Sequence, residues 1–117
     1  MQYLLMIYLN EAGMASASPD DIAKMSGEYG KFTQEIVKSG NFKGGEQLHP
    51  TSAATTVRVR DGKTLMTDGP FAETREQLAG YYVIEAKNLD EATAIAARIP
   101  GARSGSIEVR PIMESAW

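Results

Sequence analysis

The sequence contains no cysteine, one histidine and one tryptophan in its 117 residues. Without thiols the chain can form no disulfides, no thiolate metal ligands and no thiol nucleophile, which is compatible with a reducing compartment. One imidazole, with no second histidine or carboxylate at ligand spacing, favours the absence of a metal site. No phosphate-binding loop, dinucleotide fingerprint or G-x-S-x-G motif is present, so no cofactor is expected.

The sequence also lacks an excess of basic charge and a long hydrophobic run. Its formal net charge is −3, and the lysines and arginines are scattered, so no electrostatic footprint for nucleic acid appears. The apolar run from Tyr3 to Leu9 has no basic flank before it and is too short to span a bilayer. We therefore expect a cytoplasmic protein that contacts neither nucleic acid nor a membrane.

The composition is that of a globular chain. Apolar residues make up 43% and charged residues 23% of the sequence, which is ordinary for a folded domain. A chain of this length fits one hydrophobic core. The sequence therefore predicts a single domain over residues 1–117.

The first half of the chain predicts a strand followed by a helix. The continuous apolar run from Tyr3 to Leu9 is typical of a strand covered on both faces. Ser18 is a predicted helix N-cap, Pro19 suits the first helical position, and Gly40 ends the apolar periodicity. The predicted inward stripe consists of Ile22, Met25, Tyr29, Phe32 and Ile36.

A hairpin is predicted after a glycine-rich segment, residues 41–50, that reads as a short strand or loop. Asp61-Gly62 suits a two-residue turn, because both residues tolerate positive φ. In the register that this turn sets, Thr55 lies opposite Asp68, and Arg58 falls on the other face, where we expect it to meet solvent. The face that includes Asp68 consists of Thr55, Val57, Val59, Thr64, Met66 and Asp68.

The last third of the chain predicts a strand, a helix and a strand. "GYYVIEA" is again apolar on both faces, Asn88 is a predicted N-cap, and Pro100-Gly101 ends the second helix. "SIEVRPI" alternates and predicts a final strand. The order predicts a ferredoxin-like α+β fold, βαββαβ with an extra β-hairpin. The second helix is predicted to direct inward Leu89, Ala92, Ile95, Ala96 and Ile99.

Two helices of this size can cover only one face of the predicted sheet. The strands that contain Tyr3 and Tyr81 are apolar on both faces, so the second face needs another cover. We therefore predict a homodimer in which two sheets stack or close into a barrel.

Asp68 is the first candidate for a catalytic residue, because it shares a face with aliphatic side chains. Gly69-Pro70 must end the strand directly after it, since proline fixes φ and lacks a donor hydrogen. One interpretation is that the carboxylate only accepts hydrogen bonds from the backbone of this turn. The other is that it points into a cavity between sheets.

His49 is the second candidate, since imidazole is the side chain best suited to proton transfer near neutral pH. A histidine before a proline also fits a plain loop position. The acids, arginine and amide that follow the Gly-Pro pair are interpreted as a solvated helical turn with local ion pairs, formed by Glu73, Arg75, Glu76 and Gln77.

The run "TVRVRDGKTLMTDGPFAETREQLAGYYVIEAKNLDEATAIAARIP" resembles YCII-related proteins of the DGPF-domain type, named for the tetrapeptide that stands here as Asp68-Gly69-Pro70-Phe71. The resemblance extends from "YLLMIY" to "IEVRPI". It implies a ferredoxin-like fold assembled as a dimeric α/β barrel.

The resemblance also implies two functions of different class. The first is a small cofactor-independent enzyme that uses a His-Asp pair in the barrel cavity on a small organic substrate. Asp68 matches the acid of that pair, while the family's histidine stands early in the chain and His49 is the one that this sequence offers. The second is a non-catalytic ligand-binding or regulatory module, since members of the group occur beside or fused to extracytoplasmic-function sigma factors.

Overall fold

The computed structural model describes residues 1–114, which form a four-stranded antiparallel sheet, a separate two-stranded hairpin and three α-helices. Short 3-10 turns lie at Thr51–Ala53 and Pro100–Arg103. The elements are β1 (Gln2–Leu9), α1 (Glu11–Ala15), α2 (Pro19–Lys38), β2 (Phe42–Gln47), β3 (Thr55–Arg60), β4 (Lys63–Asp68), β5 (Gln77–Glu85), α3 (Leu89–Ala96) and β6 (Ser106–Pro111).

The main sheet has the strand order β2-β5-β1-β6, and each neighbouring pair is antiparallel. This order, with helices following β1 and β5, is compatible with a ferredoxin-like α+β fold. Within residues 1–114, no helix has the length and apolar character needed to cross a membrane.

Helix α2 begins as predicted, because the Ser18 hydroxyl accepts a hydrogen bond from the Asp21 N–H and Pro19 is the first helical residue. Phe32 and Ile36 are buried, but Ile22 at the start of the predicted stripe is exposed. The prediction that Ile22 points into the core is wrong, since a periodic stripe defines a helix face but not how far the sheet extends beneath it.

Helix α3 is shorter than predicted. The Asn88 side chain accepts from the Glu91 N–H, and Ala92, Ile95 and Ala96 are buried, as expected. Leu89 is exposed, so the prediction that it points inward is wrong. Ile99 is buried as predicted, but it lies in the loop that follows the helix.

The two faces of the main sheet differ in cover. Tyr3, Leu5, Ile7, Tyr82 and Ile84 are buried, and they belong to the same core as the inward residues of α2 and α3. The alternate residues point to the opposite face, where they are only half-buried. We call this surface the open face; it is centred on Leu4, Met6, Tyr81 and Val83, with Met6 paired to Tyr81 and Leu4 to Val83.

Strands β3 and β4 form the hairpin in the predicted register, with Thr55 opposite Asp68 and Val57 opposite Met66. The turn residues Asp61 and Gly62 have φ of 52° and 73°, the left-handed conformation that the dipeptide was expected to supply. The hairpin pairs with no other strand among the described residues, and we call it the arm, residues 55–68.

The arm exposes its apolar face. Val57, Val59 and Met66 are 59%, 60% and 72% exposed. Arg58 on the opposite face, which was expected to meet solvent, is half-buried. A two-stranded hairpin is marginal in water by itself, which makes this exposed aliphatic surface unusual.

Candidate functional site

Three connecting segments meet at one end of the main sheet. Leu9 at the end of β1 pairs with Gln77 at the start of β5, and Tyr8 pairs with Ser106 at the start of β6. Gln47 at the end of β2 pairs with Gly80 of β5. Helix α1, the loop after β2 and the segment before β5 therefore leave the sheet at the same end.

Glu11 holds the loop after β2 in place. Its two carboxylate oxygens accept from the backbone N–H and the hydroxyl of Thr51, both at 2.7 Å. Its own N–H donates to the Gln77 side-chain carbonyl at 3.0 Å, and the Gln77 amide donates to the Thr74 carbonyl at 2.6 Å. This chain of contacts joins α1, the 3-10 turn at residues 51–53 and the segment before β5.

His49 lies in this loop, between the last strand residue, Gln47, and Pro50. The loop is bound on both sides of it, because the Leu48 N–H donates to the Ala79 carbonyl at 2.8 Å and Thr51 binds Glu11. The His49 side chain is exposed. The structure thus fixes the backbone around the imidazole and leaves the ring accessible.

Asp68 is the last residue of β4, at the base of the arm. The base is closed by the Gly69 N–H, which donates to the Ala54 carbonyl at 2.7 Å, and by the Thr56 hydroxyl, which donates to the Gly69 carbonyl at 2.8 Å. Gly69 adopts a φ of 96°, which a side chain would disfavour. The Asp68 carboxylate is exposed, and no residue from 1 to 114 donates a hydrogen bond to it.

His49 and Asp68 are neither hydrogen-bonded nor ion-paired to each other within residues 1–114. The loop and the base of the arm are nevertheless joined by the hydrogen bond from Gly69 to Ala54. Their role as a pair therefore stays a prediction.

The segment between the arm and β5 is not a helical turn. Residues 69–76 have no helical hydrogen bonding, and none of the ion pairs in the described residues includes Glu73, Arg75 or Glu76. Glu76 instead accepts from the Ser106 hydroxyl at 2.8 Å. The interpretation as a solvated helical turn is wrong, because Gln77 and Glu76 bond to other segments.

A surface cleft of about 320 Å³ lies between α2 and the segment after α3. Ion pairs join its two walls, Arg98 to Glu35 and Arg103 to Glu28. These pairs include four of the five charged residues that line the cleft, with Lys31 as the fifth, and the lining includes neither His49 nor Asp68. In residues 1–114, no group of three or more acidic or histidine side chains is arranged to hold a metal ion.

The sequence profile of the YCII-related domain matches residues 1–116. The chain belongs to the YCII-related family. This YCII-related chain is also 36% identical over 114 residues to an uncharacterized protein of Rhizobium meliloti (strain 1021), a match that covers 96% of this chain and 92% of that protein.

In this YCII-related site, no role was assigned to Glu11 from the sequence, and Gln77 was wrongly placed in a solvated helical turn. Glu11 lies 40 residues from Thr51 and 66 residues from Gln77, so no local pattern links them. The sequence contained one signal for α1, because asparagine is a preferred N-cap and Asn10 directly follows β1. In the structure the Asn10 side chain accepts a hydrogen bond from the Gly13 N–H and caps α1.

Proposed function

We propose that this YCII-related protein is a homodimeric, cofactor-independent enzyme that performs acid/base chemistry on a small organic substrate. Asp68 serves as base or orienting carboxylate, and His49 as proton carrier. The observation that carries the proposal is the placement of the Asp68 carboxylate, which accepts no hydrogen bond from residues 1–114, on the same arm face as Val57 and Met66. In the proposed dimer this face of the arm would be covered, and the carboxylate would be positioned to accept a proton from a bound substrate.

The open face supports the homodimer. It has an apolar centre, and the molecule is only 19 Å thick along its shortest axis, which leaves room for one sheet and one layer of helices. Two copies related by a twofold axis can cover both open faces at once, as a dimeric α/β barrel. In that assembly the space beside the two sheets is shielded from water.

The positions of the two loops support the pairing of the candidate residues. The loop of His49 is tied to β5 through Leu48 and to α1 through Thr51, and the base of the arm is tied to the same loop through Ala54 and Gly69. A substrate bound at this end of the sheet would lie between the imidazole and the carboxylate. Asp68 would then accept one substrate proton while His49 donates a proton of its own to another substrate atom, and proton exchange with water would restore both groups.

A second candidate is a non-catalytic ligand-binding module of the same dimer. It is favoured by the absence of a His49–Asp68 contact in the described chain and by the exposure of both side chains. Phe71, directly after the Gly-Pro pair, is also exposed and offers an aromatic surface to a ligand.

The test combines sedimentation at micromolar concentration with a screen for turnover of small organic acids, esters and carbonyl compounds. We expect one species of twice the chain mass, and turnover that Asp68→Asn abolishes and His49→Gln lowers by about 10²-fold or more. Asp61→Asn makes the same chemical change at the tip of the arm and should leave turnover unchanged.

Turnover that is indifferent to both Asp68→Asn and His49→Gln would contradict the catalytic assignment. Saturable ligand binding without turnover, weakened by the same two changes, would favour the binding module. A stable monomer at micromolar concentration would contradict the shielded site in both.

A further inference from the structure

In the single chain, the arm exposes its aliphatic face more than its charged face. Its two faces differ in chemistry: one has Val57, Val59 and Met66, and the other has three cations. In water an amphipathic hairpin buries the aliphatic face, yet here that face is the more exposed one. The cationic face comprises Arg58, Arg60 and Lys63, together with Thr56, Leu65 and Thr67.

The accessible surface of the single chain is larger than that of a compact monomer, as expected for one protomer of a dimer with a large interface. The accessible surface of the chain is 8467 Å², whereas a compact monomer of 12.7 kDa is expected to expose about 6,200 Å². The excess of about 2,200 Å² is larger than the roughly 800 Å² that each partner contributes to a standard interface. The radius of gyration, 16.2 Å, likewise exceeds the roughly 13 Å of a compact chain of this length.

The open face is the matching uncovered surface. Its centre is apolar, while the register places Glu46 beside Tyr81, Glu108 beside Met6 and Arg110 beside Leu4, so charged residues of both signs surround the apolar centre. An apolar centre with a charged rim is the anatomy of a protein interface. Every copy of the chain supplies one arm and one open face, so a second copy provides both partners in equal number.

We propose that the arm is exchanged between two copies, with the apolar face of each arm packed on the open face of the other copy. The proposal rests on the proposed function, which includes the homodimer, and adds that the arm of one copy completes the site of the other. Asp68 shares the packed face of the arm, so the arm brings this carboxylate to the sheet of the other copy. Each site is then built from both copies.

Two adjacent residues of β4 provide a matched test, because Leu65 and Met66 are both exposed and point to opposite faces of the arm. Met66→Asp places a charge in the proposed contact twice per dimer, and we expect it to weaken dimerisation at least about 100-fold in sedimentation. Leu65→Asp adds the same charge to the solvent face and should leave the dimer unchanged. Circular dichroism verifies that both variants are folded.

Thiol labelling provides a second measurement, since the natural chain has no cysteine. We expect a thiol introduced by Val59→Cys to react at least about ten-fold more slowly than one introduced by Leu65→Cys in the assembled protein, and equally fast after denaturation. Equal reactivity in the assembled protein, or a dimer unaffected by Met66→Asp, overturns the exchange of arms and leaves the homodimer standing. A monomeric wild-type chain overturns both proposals.

Discussion

Thr51 gives both its backbone N–H and its hydroxyl to the carboxylate of Glu11, each at 2.7 Å. The contact fastens the loop that contains His49 to the helix that follows β1. The half-buried Glu11 carboxylate thus satisfies two donors of Thr51 that would otherwise have to bind water.

Removal of this carboxylate should loosen the loop. We expect Glu11→Ala to lower the free energy of unfolding by about 1–3 kcal/mol, because it leaves the Thr51 N–H without its acceptor. Hydrogen exchange should become faster in residues 48–54 and stay unchanged in β1 and β5. Glu73→Ala, at an exposed acid, is the control and should change stability by less than about 0.5 kcal/mol.

Asp68→Asn should leave the fold and the dimer intact. The arm base is closed by Gly69 and Thr56 and not by the Asp68 carboxylate, so we expect thermal unfolding within about 1–2 kcal/mol of the wild type. Calorimetry and sedimentation measure the two quantities. An unfolded or monomeric variant would show that Asp68 has a structural role.

The core should depend on Ile84 far more than on the aliphatic residues of the arm. Ile84 is fully buried between the sheet and the helices, so Ile84→Ala should cost about 2–5 kcal/mol in urea denaturation. Leu65→Ala removes exposed apolar atoms and should cost less than about 0.5 kcal/mol. Equal losses would contradict the description of the arm as separate from the core.

Tyr29 should make stability depend on alkaline pH. Burial raises the pKa of its phenol above the ordinary value, partly offset by the Gly101 N–H that donates to the phenol oxygen. The folded state therefore favours the neutral phenol. Its contribution to stability is complete below the unfolded pKa, near about 10, and is lost as the pH rises above that value.

Tyr29→Phe separates this effect from the rest of the chain. We expect a loss of about 1–3 kcal/mol at neutral pH, because the buried Gly101 N–H loses its acceptor. Denaturation between about pH 8 and 11 should then show a shallower decline for the variant than for the wild type. An equally steep decline would assign the alkaline dependence to other groups.

Features that depend on neighbouring residues were predictable from the sequence. Ser18 and Asn88 cap helices because each side chain reaches an N–H three residues ahead, and this needs no tertiary partner. The hairpin register followed from Asp61-Gly62, since a two-residue turn determines which residues face each other. Family membership also followed, because the run around Asp68-Gly69-Pro70-Phe71 is specific.

The limits of the helix stripes were not predictable in the same way. Ile22 and Leu89 fit the periodicity of α2 and α3 but remain exposed, because the sheet under each helix determines which turns are covered. Periodicity in one helix contains no information about the extent of its neighbour.

The sequence by itself determined the strands, the helices α2 and α3 with their caps, and the hairpin register, since each depends on residues a few positions apart. Only the tertiary structure decided that Glu11 binds Thr51, that Glu76 binds Ser106, and that the apolar face of the arm remains uncovered in one chain. These depend on residues 30 or more positions apart, whose approach is set by the packing of the whole sheet and its helices.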